Sequence, residues 1–154
     1  MRINLPDPVG FAEVFRKTIG IPFDTEVTGI ATDSREVQSG DLYVAIAGER
    51  VDGHTFLKEV NDRGGNCALV DTVSKESTIT QIKVDNPVTV IGKVARAWRD
   101  QFHIPVIGIT GSNGKTSTKE LVKHVLSAQY NVHATEGNYN TSIGLPLTLL
   151  QLSQ

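Results

Sequence analysis

A chain of 154 residues, 39% hydrophobic and 21% charged, has the length of one domain, or of a small domain with part of another, and enough apolar content to bury a core. Its net charge of −2, with Lys and Arg scattered along the chain, excludes the basic stripe that nucleic-acid binding calls for. The opening Met-Arg-Ile-Asn-Leu-Pro-Asp-Pro breaks the apolar run that a secretory signal needs, no later stretch could span a bilayer, and the one cysteine, Cys67, has no internal partner, so a cytoplasmic location without membrane insertion is expected.

Taken in order, residues 9–19 carry apolar side chains at Val9, Phe11, Ala12, Val14, Phe15 and Ile19, which predicts a short helix after Pro8, closed by Gly20 and Pro22. From Val27 the sequence reads as strand, followed by Thr-Asp-Ser-Arg at 32–35, a turn at 38–41 and a buried strand over 42–47. A loop is expected at 48–53, and beyond it Phe56, Leu57 and Val60 share one face of a helix that stops at Gly64 and Gly65. Cys67 to Val70 predicts another buried strand, with Cys67 an inert thiol, and 78–84 an edge strand. Residues 1–84 are therefore expected to form a small α/β domain.

Asn86 and Pro87 read as the cap and first residue of a helix, where the missing proline N–H costs nothing. Val88, Ile91, Val94, Ala95, Trp98 and Phe102 keep helical spacing, so 85–104 is expected as a connecting helix with Trp98 in the core. After Pro105 comes an apolar strand, a glycine-rich turn, a helix with Leu121, Val122, Val125 and Leu126 on one face, and a second strand at 131–135. This pattern predicts a right-handed, parallel βαβ unit opening a nucleotide-binding domain over 105–154. The polar loop 136–142 would then lie at the carboxyl end of its second strand, where open α/β sheets bind ligands.

The turn itself, Thr-Gly-Ser-Asn-Gly-Lys-Thr at 110–116, reads as a phosphate loop. The strict spacing would put a glycine at 109, where Ile109 stands, with Gly108 one residue too early. What supports the variant is its setting between an apolar strand and an amphipathic helix; the competing reading is an ordinary glycine turn with a surface lysine. Gly111 and Gly114 would let the backbone N–H groups point at a triphosphate, and the positive end of the helix would add to the same anion. Lys115 would neutralise the transferred phosphoryl group, which makes it the candidate catalytic residue, and Thr116 would offer its hydroxyl to Mg²⁺. The expected ATP set is Thr110, Gly111, Ser112, Asn113, Gly114, Lys115, Thr116 and Ser117.

Three separated stretches together resemble the Mur ligases, ATP-dependent cytoplasmic enzymes that build the peptide stem of peptidoglycan precursors. They are Thr-Asp-Ser-Arg at 32–35 with Gly-Asp-Leu-Tyr-Val-Ala-Ile-Ala-Gly at 40–48 and Asp-Gly-His-Thr-Phe at 52–56; the phosphate loop; and Gly-Asn-Tyr-Asn-Thr-Ser-Ile-Gly-Leu-Pro at 137–146. The third is similar to the branch that adds D-alanyl-D-alanine. The resemblance covers the N-terminal domain and the opening of the central ATPase domain of the family's three. It implies ATP-driven amide formation through an acyl phosphate, with UDP-N-acetylmuramoyl-tripeptide and D-alanyl-D-alanine as substrates and a monomeric parent. Ser34 and Arg35 would lie near the uridine nucleotide, and Asn138, Asn140 and Thr141 would contact substrate.

Rival readings stay open for several of these residues. Asp33 suits a structural role in a turn; Arg35 is divided between solvent and a phosphate or uracil; His54 is as readily a capping residue as a ligand contact; and Asn138 and Asn140 suit a turn. His103, His124 and His133 lack metal-ligand spacing. A small-molecule kinase, a nucleotide switch, a non-catalytic binding fragment or another step of the same family would share the phosphate loop. After Thr116 the only acids are Glu120, expected to point away from the phosphates, and Glu136, so this stretch alone is expected to be inactive. Its apolar residues 145–152 are expected to favour self-association or fraying after residue 135.

Overall fold

The computed structural model describes residues 1–48, 51–137, 139 and 141–153. At its centre is a five-stranded sheet in simple sequential order, β1 (Arg2–Asn4), β2 (Gly29–Ala31), β3 (Asp41–Val44), β4 (Cys67–Val70) and β5 (Thr80–Lys83). Strand β1 runs antiparallel to β2, and the remaining pairs are parallel. Side chains alternate faces along each strand. Ile30, Leu42, Val44, Cys67 and Leu69 enter one core, while Ala31, Tyr43, Ala45, Ala68 and Val70 enter the other.

The larger core is roofed by α1 (Pro8–Ile19), α3 (Pro87–Arg99) and α5 (Gly144–Leu150); the smaller by α2 (Leu57–Asp62) and a 3₁₀ turn at Ser34–Glu36. The helix ends follow the sequence. Asp7 and Asn86 accept the N–H groups of Gly10 and Thr89, each before a first-turn proline, and Gly20 closes α1 in the left-handed region. Helix α3 is more than a connector: Ile91, Val94, Ala95 and Trp98 are buried in the same core as α1 and the sheet.

Strand β1 has no counterpart in the sequence reading. It is fixed by Arg2, whose guanidinium donates twice to Asp41 (Nε to Oδ2 2.7 Å, Nη2 to Oδ1 2.9 Å). Asp41 is fully buried and also accepts the N–H of Gln38, so its charge is both paired and hydrogen-bonded. Gly29 makes room for this pair, since a Cβ there would meet Asp41 Oδ1 at 2.4 Å.

Two expectations for 105–154 are corrected. The segments 105–109 and 131–135 carry no strand ladder, so only α4 (Lys115–Leu126) of the expected βαβ unit is regular. A parallel pair must be covered on both faces. Here Val106 and Ile107 are 61% and 59% exposed, and α4 buries none of its residues. The apolar tail, in contrast, does not fray: Leu147, Leu150 and Leu152 are buried in the larger core, and Trp98 Nε1 donates to Leu152 O at 3.2 Å. No helix among the described residues is long and apolar enough to cross a membrane.

Candidate functional site

The turn before α4 has the shape its glycines permit. Gly111 takes φ +150° and Gly114, the N-cap of α4, φ +79°, a region that side chains with a Cβ rarely adopt. Nothing lies within 4 Å of a Cβ built on Gly114, so backbone conformation and not crowding calls for glycine there. Thr110, Ser112, Asn113, Thr116 and Ser117 are exposed around this turn. Lys115 folds back over it, its Nζ donating to Gly111 O at 2.6 Å. The first-turn N–H groups of a helix have no intrahelical acceptor and carry its positive end.

This donor set suits a polyphosphate: backbone N–H groups, one ammonium and small hydroxyls, with no carboxylate side chain among residues 108–117. Thr116 is the hydroxyl at the helix start suited to Mg²⁺. Among the described residues no group of three His, Cys, Asp or Glu side chains could hold a metal by itself. Glu120 turns to Lys119, with Nζ to Oε1 2.8 Å, and the hydrogen bond from that lysine lowers its carboxyl pKa.

The second candidate region lies on the smaller-core face. Ser34 is buried and its hydroxyl donates to Glu59 Oε2 at 3.1 Å. Asp33 caps the 3₁₀ turn by accepting the Arg35 N–H at 3.0 Å, and its carboxylate also receives the Arg35 guanidinium, Nε to Oδ1 at 2.9 Å and Nη2 to Oδ2 at 2.6 Å. The side-chain hydrogen bond from Arg35 holds the Asp33 carboxyl well below the usual carboxylate range, and raises the arginine in return. Arg35 is nonetheless 79% exposed, so the pair adds little to stability.

His54 sits between two acids, Nδ1 2.6 Å from Asp52 Oδ1 and Nε2 3.3 Å from Asp71 Oδ1, the second contact lacking hydrogen-bond alignment. Asp52 accepts the His54 N–H and caps the following 3₁₀ turn, so the histidine is part of a capped turn. A cavity of about 390 Å³ opens beside it, lined by His54, Lys58, Thr72, Ser74 and Ser77, apart from the phosphate loop.

Of the expected substrate contacts after α4, Asn138 and Asn140 lie outside the described residues. Thr141 closes the turn into α5, its Oγ1 accepting the Gly144 N–H at 3.0 Å. The contacts of two residues here escape the sequence reading. Lys119 donates to the carbonyls of Thr135 and Gly137, and His133 Nε2 lies 2.7 Å from Thr148 O, which fixes that nitrogen as the protonated one. The only sequence cue for Lys119 is its place one helical turn beyond Lys115.

Comparison with known proteins matches residues 26–102 to the family model described as Mur ligase family, catalytic domain, and residues 109–154 to the Mur ligase middle domain. The UDP-N-acetylmuramoyl-tripeptide--D-alanyl-D-alanine ligase of Synechocystis sp. is 43% identical over 84% of this chain and 29% of its own length. The Bacillus subtilis protein of the same name is 38% identical over 93% of this chain and 32% of its own. Among solved structures, a D-alanyl-D-alanyl ligase from Acinetobacter baumannii superposes over 98% of this chain and 35% of its own, with a TM-score of 0.85 at 33% identity. The MurF ligase of Thermotoga maritima, solved in complex with ADP, gives a TM-score of 0.73 at 36% identity over 81% of this chain and 29% of its own. The chain thus spans about a third of the length of the relatives it matches.

Proposed function

The chain belongs to the Mur ligase family, and on that premise we propose that it supplies the uridine-nucleotide domain and the phosphate loop of a cytoplasmic, monomeric ligase that joins D-alanyl-D-alanine to UDP-N-acetylmuramoyl-tripeptide. The observation that carries this reading is the open turn at Gly111 and Gly114, with Lys115 folded over it, at the head of a twelve-residue helix. ATP with Mg²⁺, when bound, supplies the phosphoryl group that activates a carboxylate toward an amine.

The chain's own residues bind and neutralise. Thr110, Gly111, Ser112, Asn113, Gly114 and Ser117 offer the backbone and hydroxyl cradle. Lys115 brings the cation for the phosphoryl oxygens, and Thr116 brings the hydroxyl for Mg²⁺. In 1–84, Arg35 presents an exposed guanidinium whose Nε and Nη2 are held by Asp33, so a diphosphate would meet its outer N–H groups or take the place of that carboxylate, with Ser34 beside it in the same turn. Asn138, Asn140 and Thr141 complete the substrate side, after both nucleotide sites in sequence.

Calorimetric titration tests the assignment. MgADP and UDP should both bind the chain, and neither should displace the other. A kinase or nucleotide switch needs no uridine site, so ADP binding without UDP binding at millimolar ligand overturns the ligase reading in favour of that class.

A further inference from the structure

We propose that Glu59 and Arg63, both from α2, are positioning residues for the uridine nucleotide, holding the turn at 33–36 so that Arg35 is presented in one arrangement. The proposal rests on the uridine-site reading above. Its starting point is how little the turn has of its own. Ser34–Glu36 is a three-residue 3₁₀ helix closed by two backbone hydrogen bonds, Glu36 N–H to Asp33 O at 3.1 Å and Val37 N–H to Ser34 O at 3.4 Å, the second longer than an ordinary bond of this type. Asp33 caps the turn and grips the Arg35 guanidinium. Both residues belong to the turn, so this pair fixes the side chain relative to the turn and not the turn relative to the fold.

Contacts from outside do the second task. The Met1 ammonium meets Glu36 Oε2 at 2.9 Å, on a carboxylate that is 49% exposed. The stronger hold comes from α2, which Leu57 and Val60 sink into the smaller core. Glu59 uses both carboxylate oxygens: Ser34 Oγ donates to Oε2 at 3.1 Å, and Arg63 Nε donates to Oε1 at 3.0 Å. Arg63, one helical turn on, also donates from Nη1 to the carbonyl of Arg35 at 3.1 Å. Two consecutive residues of the turn are thus tied to one rigid helix, Ser34 by its side chain and Arg35 by its backbone. Ser34 is buried and its one hydroxyl proton points at Glu59, so it acts on the turn and leaves Arg35 as the group that meets the ligand.

These contacts bear on binding through preorganisation. A turn already held in its binding arrangement loses less freedom when a diphosphate arrives, and a side chain is placed most closely when a packed element supports it. Without Glu59, Ser34 loses its acceptor and Arg63 loses the carboxylate that aims it at the Arg35 carbonyl. Both ties then loosen together.

The test is calorimetric titration of the chain with UDP in Glu59→Ala, Glu59→Gln, Arg63→Met, Arg35→Ala and the double variant Glu59→Ala/Arg35→Ala. Arg35→Ala should weaken UDP binding by about tenfold, through loss of a charge-assisted contact with phosphate. Glu59→Ala and Arg63→Met should each weaken it by about threefold to tenfold while the far-ultraviolet circular dichroism stays that of the unaltered chain. Because Glu59 acts through Arg35, the double variant should bind within about twofold of Arg35→Ala alone. Glu59→Gln, whose amide oxygen still accepts from Arg63 and whose N–H can donate to Ser34 Oγ, should bind within about twofold of normal. A merely structural glutamate would lower the thermal midpoint and leave UDP affinity alone, or weaken binding by the same factor with and without Arg35. Normal UDP affinity in Glu59→Ala or in Arg63→Met, losses that multiply in the double variant, or a Glu59→Gln as poor as Glu59→Ala overturns the inference while leaving the uridine site standing. If the unaltered chain does not bind UDP at millimolar ligand, or if Arg35→Ala binds it normally, the placing of the uridine site at Arg35 fails and the inference with it.

Discussion

Truncation of Leu147 tests whether α5 belongs to the first domain. Its side chain is fully buried against the core that contains Trp98, Ile91 and Val94. Leu147→Ala removes three carbons, about 2.5 kcal/mol of transfer free energy. The cavity left in a close-packed site adds to this, for a loss of about 3–4 kcal/mol. For a chain of this size that corresponds to a fall of roughly 6–15 °C in the thermal midpoint. Leu121→Ala is the control, a leucine of the same size on α4 that is 66% exposed, and it should cost no more than about 0.5 kcal/mol. Urea unfolding read by the fluorescence of Trp98, the one tryptophan, measures both. Because Trp98 Nε1 donates to Leu152 O, the Leu147 variant should also shift its emission to the red before the main transition. Equal stability losses for the two variants, with unchanged emission, would refute the docking of α5.

Lys115→Ala should weaken MgADP binding by at least about tenfold, because a charged hydrogen-bond partner of phosphate is lost, while the thermal midpoint stays within about 1 °C; calorimetry and circular dichroism check the two halves. Asp41→Ala should cost about 3–5 kcal/mol in urea unfolding by leaving Arg2 without its buried partner, a far larger effect than Asp33→Ala at the exposed Arg35 pair. In alkali, burial pushes the Cys67 thiol up to about 12 from 9 and the Tyr43 hydroxyl up to about 12 from 10, so the folded state keeps protons that the unfolded chain releases. Stability should therefore be full below pH 9, fall progressively toward pH 12, and in Cys67→Ala begin to fall only near pH 10, as followed by the urea midpoint.

The parts of this fold legible in the sequence are those set by local chemistry. The apolar runs 42–47 and 67–70 read as buried strands and stand in the structure as β3 and β4, and Pro8 and Asn86 with Pro87 mark helix starts that the structure keeps. Strand β1 was not legible because three residues carry too little pattern, and its place depends on the Arg2 to Asp41 pair across 39 positions. The phosphate loop could be read from its glycines and Lys115. Lys119 could not, since a lysine in a helix ordinarily faces water, and only the folded chain brings Thr135 O and Gly137 O within its reach. The apolar run 145–152 announced a helix but not its partner, which is a property of the tertiary structure.

Chain order and packing divide residues 105–154 differently, and the difference has a mechanical consequence. By order, α4 and α5 belong to one unit that opens at Pro105. By packing, α5 is part of the first domain, through Leu147, Leu150 and Leu152, while α4 stands outside that core with Leu121 and Val125 66% and 68% exposed. Buried leucines are each worth about 2–3 kcal/mol, whereas a net hydrogen bond of the kind Lys119 makes contributes about 1 kcal/mol, somewhat more for a charged donor. Displacing α4 with its phosphate loop is therefore much less costly than lifting α5. Any rearrangement on nucleotide binding should fall in 104–114 and 127–137, with the sheet, α1, α3 and α5 moving as one body.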